Sequence, residues 1–112
     1  MSGITTHVLD IALGKPAAGV LVGLTLRDGE GFRELGRSIT DVDGRVRDFS
    51  SESPLTAATY QLVFETGDYF RASSRTSFYE RVTLEFRIID PSQHYHVPLL
   101  LSPFGYSTYR GS

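Results

Sequence analysis

Val82-Thr-Leu-Glu-Phe-Arg-Ile88 is the cleanest alternation of apolar and polar residues in the 112-residue chain. Val82, Leu84, Phe86 and Ile88 fall on one side of an extended backbone, while Thr83, Glu85 and Arg87 fall on the other. That is the period of a strand with one buried face. Asp90-Pro91 ends it, since proline has no amide hydrogen to give to a ladder. The same period recurs in both directions. Upstream, Tyr60, Leu62 and Phe64 alternate within Ala58–Glu65, and Val20, Val22, Leu24 and Leu26 alternate further back. Ile4–Asp10 is β-branched and reads as the first strand. Phe32–Ile39 returns after Asp28-Gly-Glu-Gly31, a hairpin loop by its glycines. Arg45–Phe49 is a short strand after the Thr40–Gly44 turn. Downstream, Tyr95–Leu101 and Tyr106–Tyr109 complete eight strands. Gly14-Lys15-Pro16 reads as a turn and Ser50–Pro54 as loop. Gly67–Ser74 lacks a period of two and reads as a two-turn helix capped by Asp68 or Thr66.

Eight short strands punctuated by turns predict an all-β sandwich with one short helix, because a sheet with one apolar face must bury it against another. The length suits a single domain over residues 1–112. Hydrophobic residues make up 40% and charged residues 21%, the balance of an ordered globular chain. A net charge of -2 gives no basic footprint for nucleic acid. With no cysteine, disulfide frameworks and cysteine-based metal sites are excluded. The start of the chain reads as neither signal nor membrane anchor, and its end is not a peroxisomal address, so the expectation is a cytoplasmic protein with no membrane partner.

The candidates for chemistry are few. Histidine occurs only at His7, His94 and His96. A single histidine in a strand is more often a packed or surface residue than a catalyst. His7 shares a strand face with Thr5 and Leu9, and His96 shares one with His94, Pro98 and Leu100. Ser107 and Tyr109 share a face of the last strand. Period alone leaves open whether these faces meet, and whether they look into the core or outward. His94-x-His96 is also a zinc-compatible spacing, with His7 as a possible third ligand.

Four segments together carry a resemblance: His7-Val-Leu-Asp10, Asp43-Gly-Arg45, Tyr95-His-Val-Pro-Leu-Leu-Leu-Ser-Pro103 and Tyr109-Arg-Gly-Ser112. Gly14-Lys-Pro-Ala17 and Thr66–Phe70 add to it. The chain resembles the 5-hydroxyisourate hydrolases of the transthyretin-like family over essentially its whole length. Asp-Gly-Arg alone carries nothing, since such turns are common. The stretch from His94 to Ser112 is the specific part, because no packing rule requires Tyr-Arg-Gly-Ser. Transthyretin itself shares the fold but lacks that ending and the histidines at His7 and His96.

The resemblance implies a transthyretin-like sandwich that opens the ring of 5-hydroxyisourate, giving 2-oxo-4-hydroxy-4-carboxy-5-ureidoimidazoline, by water attack on a ring acyl carbon. It implies His7, Arg45, His96 and Ser112 as catalytic residues, with His7, Arg45 and Tyr109 on the substrate. Either imidazole suits the role of base, since histidine titrates near neutrality. Arg45 suits orientation and charge stabilisation, being always charged and planar. Arg110 faces away from Tyr109 and suits anchoring of the segment. No metal or cofactor is implied. The partners implied are the small-molecule substrate and further copies of the chain, in a homotetramer with sites at the dimer–dimer interface. Two other readings fit the residues: a small-ligand carrier without catalysis, and a zinc-dependent cyclic amide hydrolase.

Overall fold

The computed structural model describes residues 3–49, 51 and 53–112. The loop expected over Ser50–Pro54 therefore lies partly outside the described residues. Strands β1 (Ile4–Asp10), β2 (Lys15–Pro16), β3 (Leu21–Asp28), β4 (Gly31–Ile39), β5 (Arg45–Val46) and β6 (Ala58–Phe64) precede the helix α1 (Thr66–Ala72). Strands β7 (Val82–Ile88), β8 (Tyr95–Ser102) and β9 (Gly105–Thr108) follow it. One sheet runs β4-β3-β6-β7, and the other β2-β1-β8-β9, with β5 also pairing β1. No helix among the described residues is long and apolar enough to cross a membrane.

The sandwich expected from the alternation is present, with a ninth strand that the residues hide. Lys15-Pro16 reads as a turn, yet the two residues pair antiparallel with Leu9 and Asp10. Two residues are too few to show a period, and proline tolerates an edge position. The strand expected over Arg45–Phe49 is shorter, Arg45–Val46, because only its first residues pair with β1. Helix α1 forms where expected, but neither Thr66 nor Asp68 caps it. The N-cap is Glu65 without a side-chain bond, and Thr66 lies inside the helix, where its buried hydroxyl has no partner among the described residues.

Ile4, Val8, Leu99 and Leu101 of one sheet meet Val22, Leu62, Phe64 and Ile88 of the other in the core. Burial alternates strictly along β1: Ile4, Thr6, Val8 and Asp10 are buried, while Thr5, His7 and Leu9 are half-exposed. His7 thus lies on the outer face of its sheet, away from the core. Buried Asp10 stays charged because it is fully paired. Its carboxylate accepts from Arg75 Nη2 at 2.7 Å, Tyr69 Oη at 2.8 Å and the Leu13 amide at 3.1 Å. Burial pushes its pKa up, but these hydrogen bonds and the Arg75 charge outweigh it and hold the carboxyl below the usual range.

Candidate functional site

Strands β1 and β8 run parallel, with Thr5 opposite His96 and His7 opposite Pro98. On the other side of β1, His7 lies opposite Arg45. Side chains directly across a ladder share a face, so His7, Arg45, His96 and Thr5 converge on the outer surface of one sheet. An open pocket of about 290 Å³ there is lined by Thr5, Arg45, Arg47, His94, His96 and Ser112, with Thr6 behind them. His7 sits beside this lining rather than within it, close enough to act electrostatically on His96.

The Asp-Gly-Arg turn, uninformative as a motif, has a specific task. Asp41 Oδ1 accepts from the amides of Asp43 at 2.9 Å and Arg45 at 3.0 Å, and its Oδ2 accepts from Arg47 at 2.8 Å. The Gly44 carbonyl then accepts from the Val8 amide at 2.7 Å, fastening the turn to β1. Gly44 has φ +76°, and a Cβ there would stand 2.4 Å from the Val8 carbonyl oxygen. Both facts require glycine. The turn thereby sets Arg45 across from His7.

A second glycine shapes the other wall. The Gly111 amide donates to the His96 carbonyl at 2.8 Å, and its α-carbon comes so close to the His96 ring that a Cβ would be 2.6 Å from Cδ2. This close approach carries Ser112 into the pocket. Arg110 ties the segment to the start of β8, although it lines one cavity together with Tyr109 instead of facing away from it. Its Nη2 donates to Gln93 Oε1 at 2.9 Å, and its guanidinium lies 4.4 Å from the Tyr95 ring centroid, a cation–π contact.

Tyr109 lies elsewhere in the chain's own geometry. Strand β9 ends at Thr108, so the ladder no longer dictates where Tyr109 points. Tyr109 is 58% exposed and lines a separate cavity of about 670 Å³ between β7 and the β8–β9 edge, with Leu84, Phe86 and Val97. Ser107, opposite Leu100, stays on the outer face as the alternation implies.

The pocket's electrostatics centre on His96. Burial pushes its imidazole below the ordinary histidine range, and Arg45, His7 and His94 push the same way, against a backbone hydrogen bond at Thr5. A neutral ring at physiological pH follows, one able to accept a proton. His96 Nδ1 lies 2.8 Å from Thr5 Oγ1, which also lies 3.0 Å from His94 Nε2. Both imidazoles of the zinc-compatible pair thus turn onto a hydroxyl. Among the described residues, no group of three His, Cys, Asp or Glu side chains is disposed to hold a metal ion. Thr5 and Arg47 were not singled out by the sequence. Only the pairing of β1 with β8, and of the turn with β1, brings them in.

Fold and pocket define a transthyretin-type sandwich with a basic, imidazole-lined site on one exposed sheet face. The sequence profile of the HIUase/Transthyretin family matches residues 4–111, and the chain belongs to that family. It is 51% identical to the 5-hydroxyisourate hydrolase of Caulobacter vibrioides, with both chains fully covered. It is 46% identical to that of Deinococcus radiodurans, covering 98% of this chain and 96% of the other. Among solved structures, Klebsiella pneumoniae 5-hydroxyisourate hydrolase superposes with a TM-score of 0.85 at 42% identity, covering 97% and 92% of the two chains. Sea bream transthyretin in complex with thyroxine gives 0.90 at 27% identity, covering 98% and 95%. Backbone similarity therefore does not separate the two branches, whereas residue identity does.

Proposed function

We propose that this chain is an enzyme that hydrolyses 5-hydroxyisourate, with His7, Arg45, His96 and Ser112 as the working residues. The observation that carries the reading is the convergence of two imidazoles and a guanidinium on one half-exposed sheet face, in a chain about half identical to named hydrolases of that substrate. Water is a poor nucleophile and needs a base. Neutral His96 removes a proton as the oxygen adds to the ring acyl carbon. The carbonyl oxygen gains negative charge, which Arg45 stabilises through its donor fork. The carbon–nitrogen bond then breaks, the electron pair leaves on the ring nitrogen, and the histidine returns the proton there. A carboxylic acid and an opened ring result, and the acid ionises to its carboxylate by releasing the second proton of the water to solvent. His7 orients the substrate with Arg45, or exchanges roles with His96. Ser112 supplies a hydroxyl at the pocket wall.

The active assembly in this reading is a homotetramer in the cytoplasm, with sites at the dimer–dimer interface. Two features support it. Leu9 and Leu100 are half-exposed and extend an apolar surface beside the polar pocket, although Pro98 between their strands is buried, and such a surface is more stable covered. Strands β7 and β9 are also sheet edges with open ladders within one chain. Tyr109, near the β9 edge, would approach substrate in the assembly rather than within one subunit. The test is NMR of the product formed from freshly generated 5-hydroxyisourate. The ring-opened carboxylate is expected to accumulate far faster with the protein than in buffer alone. Equal rates, with saturable binding, would favour a carrier.

A further inference from the structure

We propose that Thr5 and His94 are positioning residues for His96: the Thr5 hydroxyl accepts the Nδ1 proton of His96 and donates its own to Nε2 of His94, leaving Nε2 of His96 with a free lone pair. The kinetic consequences rest on the hydrolase reading, while the hydrogen-bond pattern stands without it.

The arrangement follows from the register. Parallel pairing sets Thr5 directly across from His96, and His94, two residues earlier, falls on the same side. One hydroxyl then faces two ring nitrogens, at 2.8 Å and 3.0 Å. A threonine hydroxyl has one proton to give and two lone pairs to offer. It cannot donate to both rings, so the protonation of one imidazole constrains the other. If Thr5 donates to His94, Nδ1 of His96 must carry the proton and Nε2 is a base. If Thr5 donates to His96 instead, Nε2 carries the proton and the ring cannot take one from water.

The charges around the ring favour the first pattern. Arg45 and Arg47 line the same pocket, and guanidinium groups are donors only. His7 on β1 adds further positive potential when protonated. An N–H of His96 turned toward such neighbours would oppose them, whereas a lone pair complements them. The first pattern also serves the next step. Once Nε2 has taken a proton, the imidazolium keeps its Nδ1–H on a Thr5 oxygen whose own proton is already committed to His94. No group has to reorient during the reaction.

The experiment is nitrogen NMR of histidine-labelled full-length protein at neutral pH, with the His96 signals assigned by their loss in His96→Ala. The expected result is a protonated Nδ1 and an unprotonated Nε2. In Thr5→Val, which keeps shape and branching but removes the hydroxyl, Nε2 is expected to become partly protonated. The same variant should lose about tenfold in kcat with little change in KM, the low end of the effect of removing a partner that orients a functional imidazole. Thr5→Ser should restore both. A protonated Nε2 in the unaltered protein would overturn the proposal even if Thr5→Val failed to fold. So would a folded Thr5→Val with unchanged tautomer and kcat. The stated tautomer in a protein that does not accelerate hydrolysis would refute the enzyme reading and leave the hydrogen-bond pattern standing.

Discussion

Replacing Gly111 with alanine would put a methyl carbon 2.6 Å from Cδ2 of His96 and 3.3 Å from Cγ of both His96 and Pro98. Carbon atoms pack at about 3.5–4.0 Å, so either the His96 ring or the terminal segment must move by about 1 Å. Both movements harm the same site. A displaced ring carries the proton acceptor away from the substrate, and a displaced segment carries Ser112 out of the pocket and weakens the 2.8 Å bond from Gly111 to the His96 carbonyl. A 1 Å misplacement of a catalytic group costs about a hundredfold in rate, equivalent to about 2.7 kcal/mol of activation free energy. The assay is the ultraviolet decay of freshly generated 5-hydroxyisourate, with circular dichroism confirming that the sandwich is intact. We expect kcat/KM to fall about a hundredfold in a folded Gly111→Ala protein. Activity within twofold of the unaltered chain would refute the reasoning, since the close approach would then have no bearing on the site.

Other consequences follow from the same structure. Asp10→Asn takes the carboxylate charge from Arg75, whose Nη1 is already buried without a partner among the described residues, and breaking a buried pair costs about 3–5 kcal/mol. At about 4 °C per kcal/mol for a domain of this size, thermal melts at fixed protein concentration should drop by roughly 12–20 °C. Because the folded pKa of Asp10 is depressed, its contribution is fully present above the unfolded value of about 3.9 and fades as pH falls through the lower folded value. The melting difference should therefore shrink in strong acid, and a pH-independent difference would contradict this. With the His96 pKa lowered by burial and neighbouring charge, the neutral base persists below the ordinary value of about 6.5. The acid limb of kcat/KM should have its midpoint under that value, and a midpoint above it would oppose His96 as base. Arg45→Lys keeps the charge but loses the planar fork, and steady-state kinetics should show at least about a tenfold loss in kcat/KM.

Much of this was legible in the residues, and the reasons differ by element. β7 announces itself because alternation over seven residues is hard to mistake, whereas β1 shows only as a β-branched run, its buried face including the polar Thr6 and Asp10. β2 does not, since two residues ending in proline carry a turn signal and pair only because Asp10 and Leu9 lie within reach. His7, Arg45 and His96 are visible as residue types in a resembling context, but their shared outer face depends on parallel pairing between segments some ninety residues apart. Thr5 joins them through that same register and has no signature of its own. The Asp10–Tyr69–Arg75 network joins positions 59 and 65 residues apart in sequence, which no local pattern reveals. Tyr109 was placed by extending a strand period one residue past the end of its ladder, where the constraint stops.

Transthyretin-type chains and hydrolases share this backbone, so the account turns on what the exposed face of the β1–β8 sheet does to substrate. The most direct test follows the absorbance of freshly generated 5-hydroxyisourate at neutral pH with the unaltered protein, with His96→Ala and with no protein. We expect decay far faster than the spontaneous rate for the unaltered chain, and a loss of about a hundredfold or more on removing the imidazole. Decay at the spontaneous rate with a well-folded protein, or full activity in His96→Ala, would contradict it.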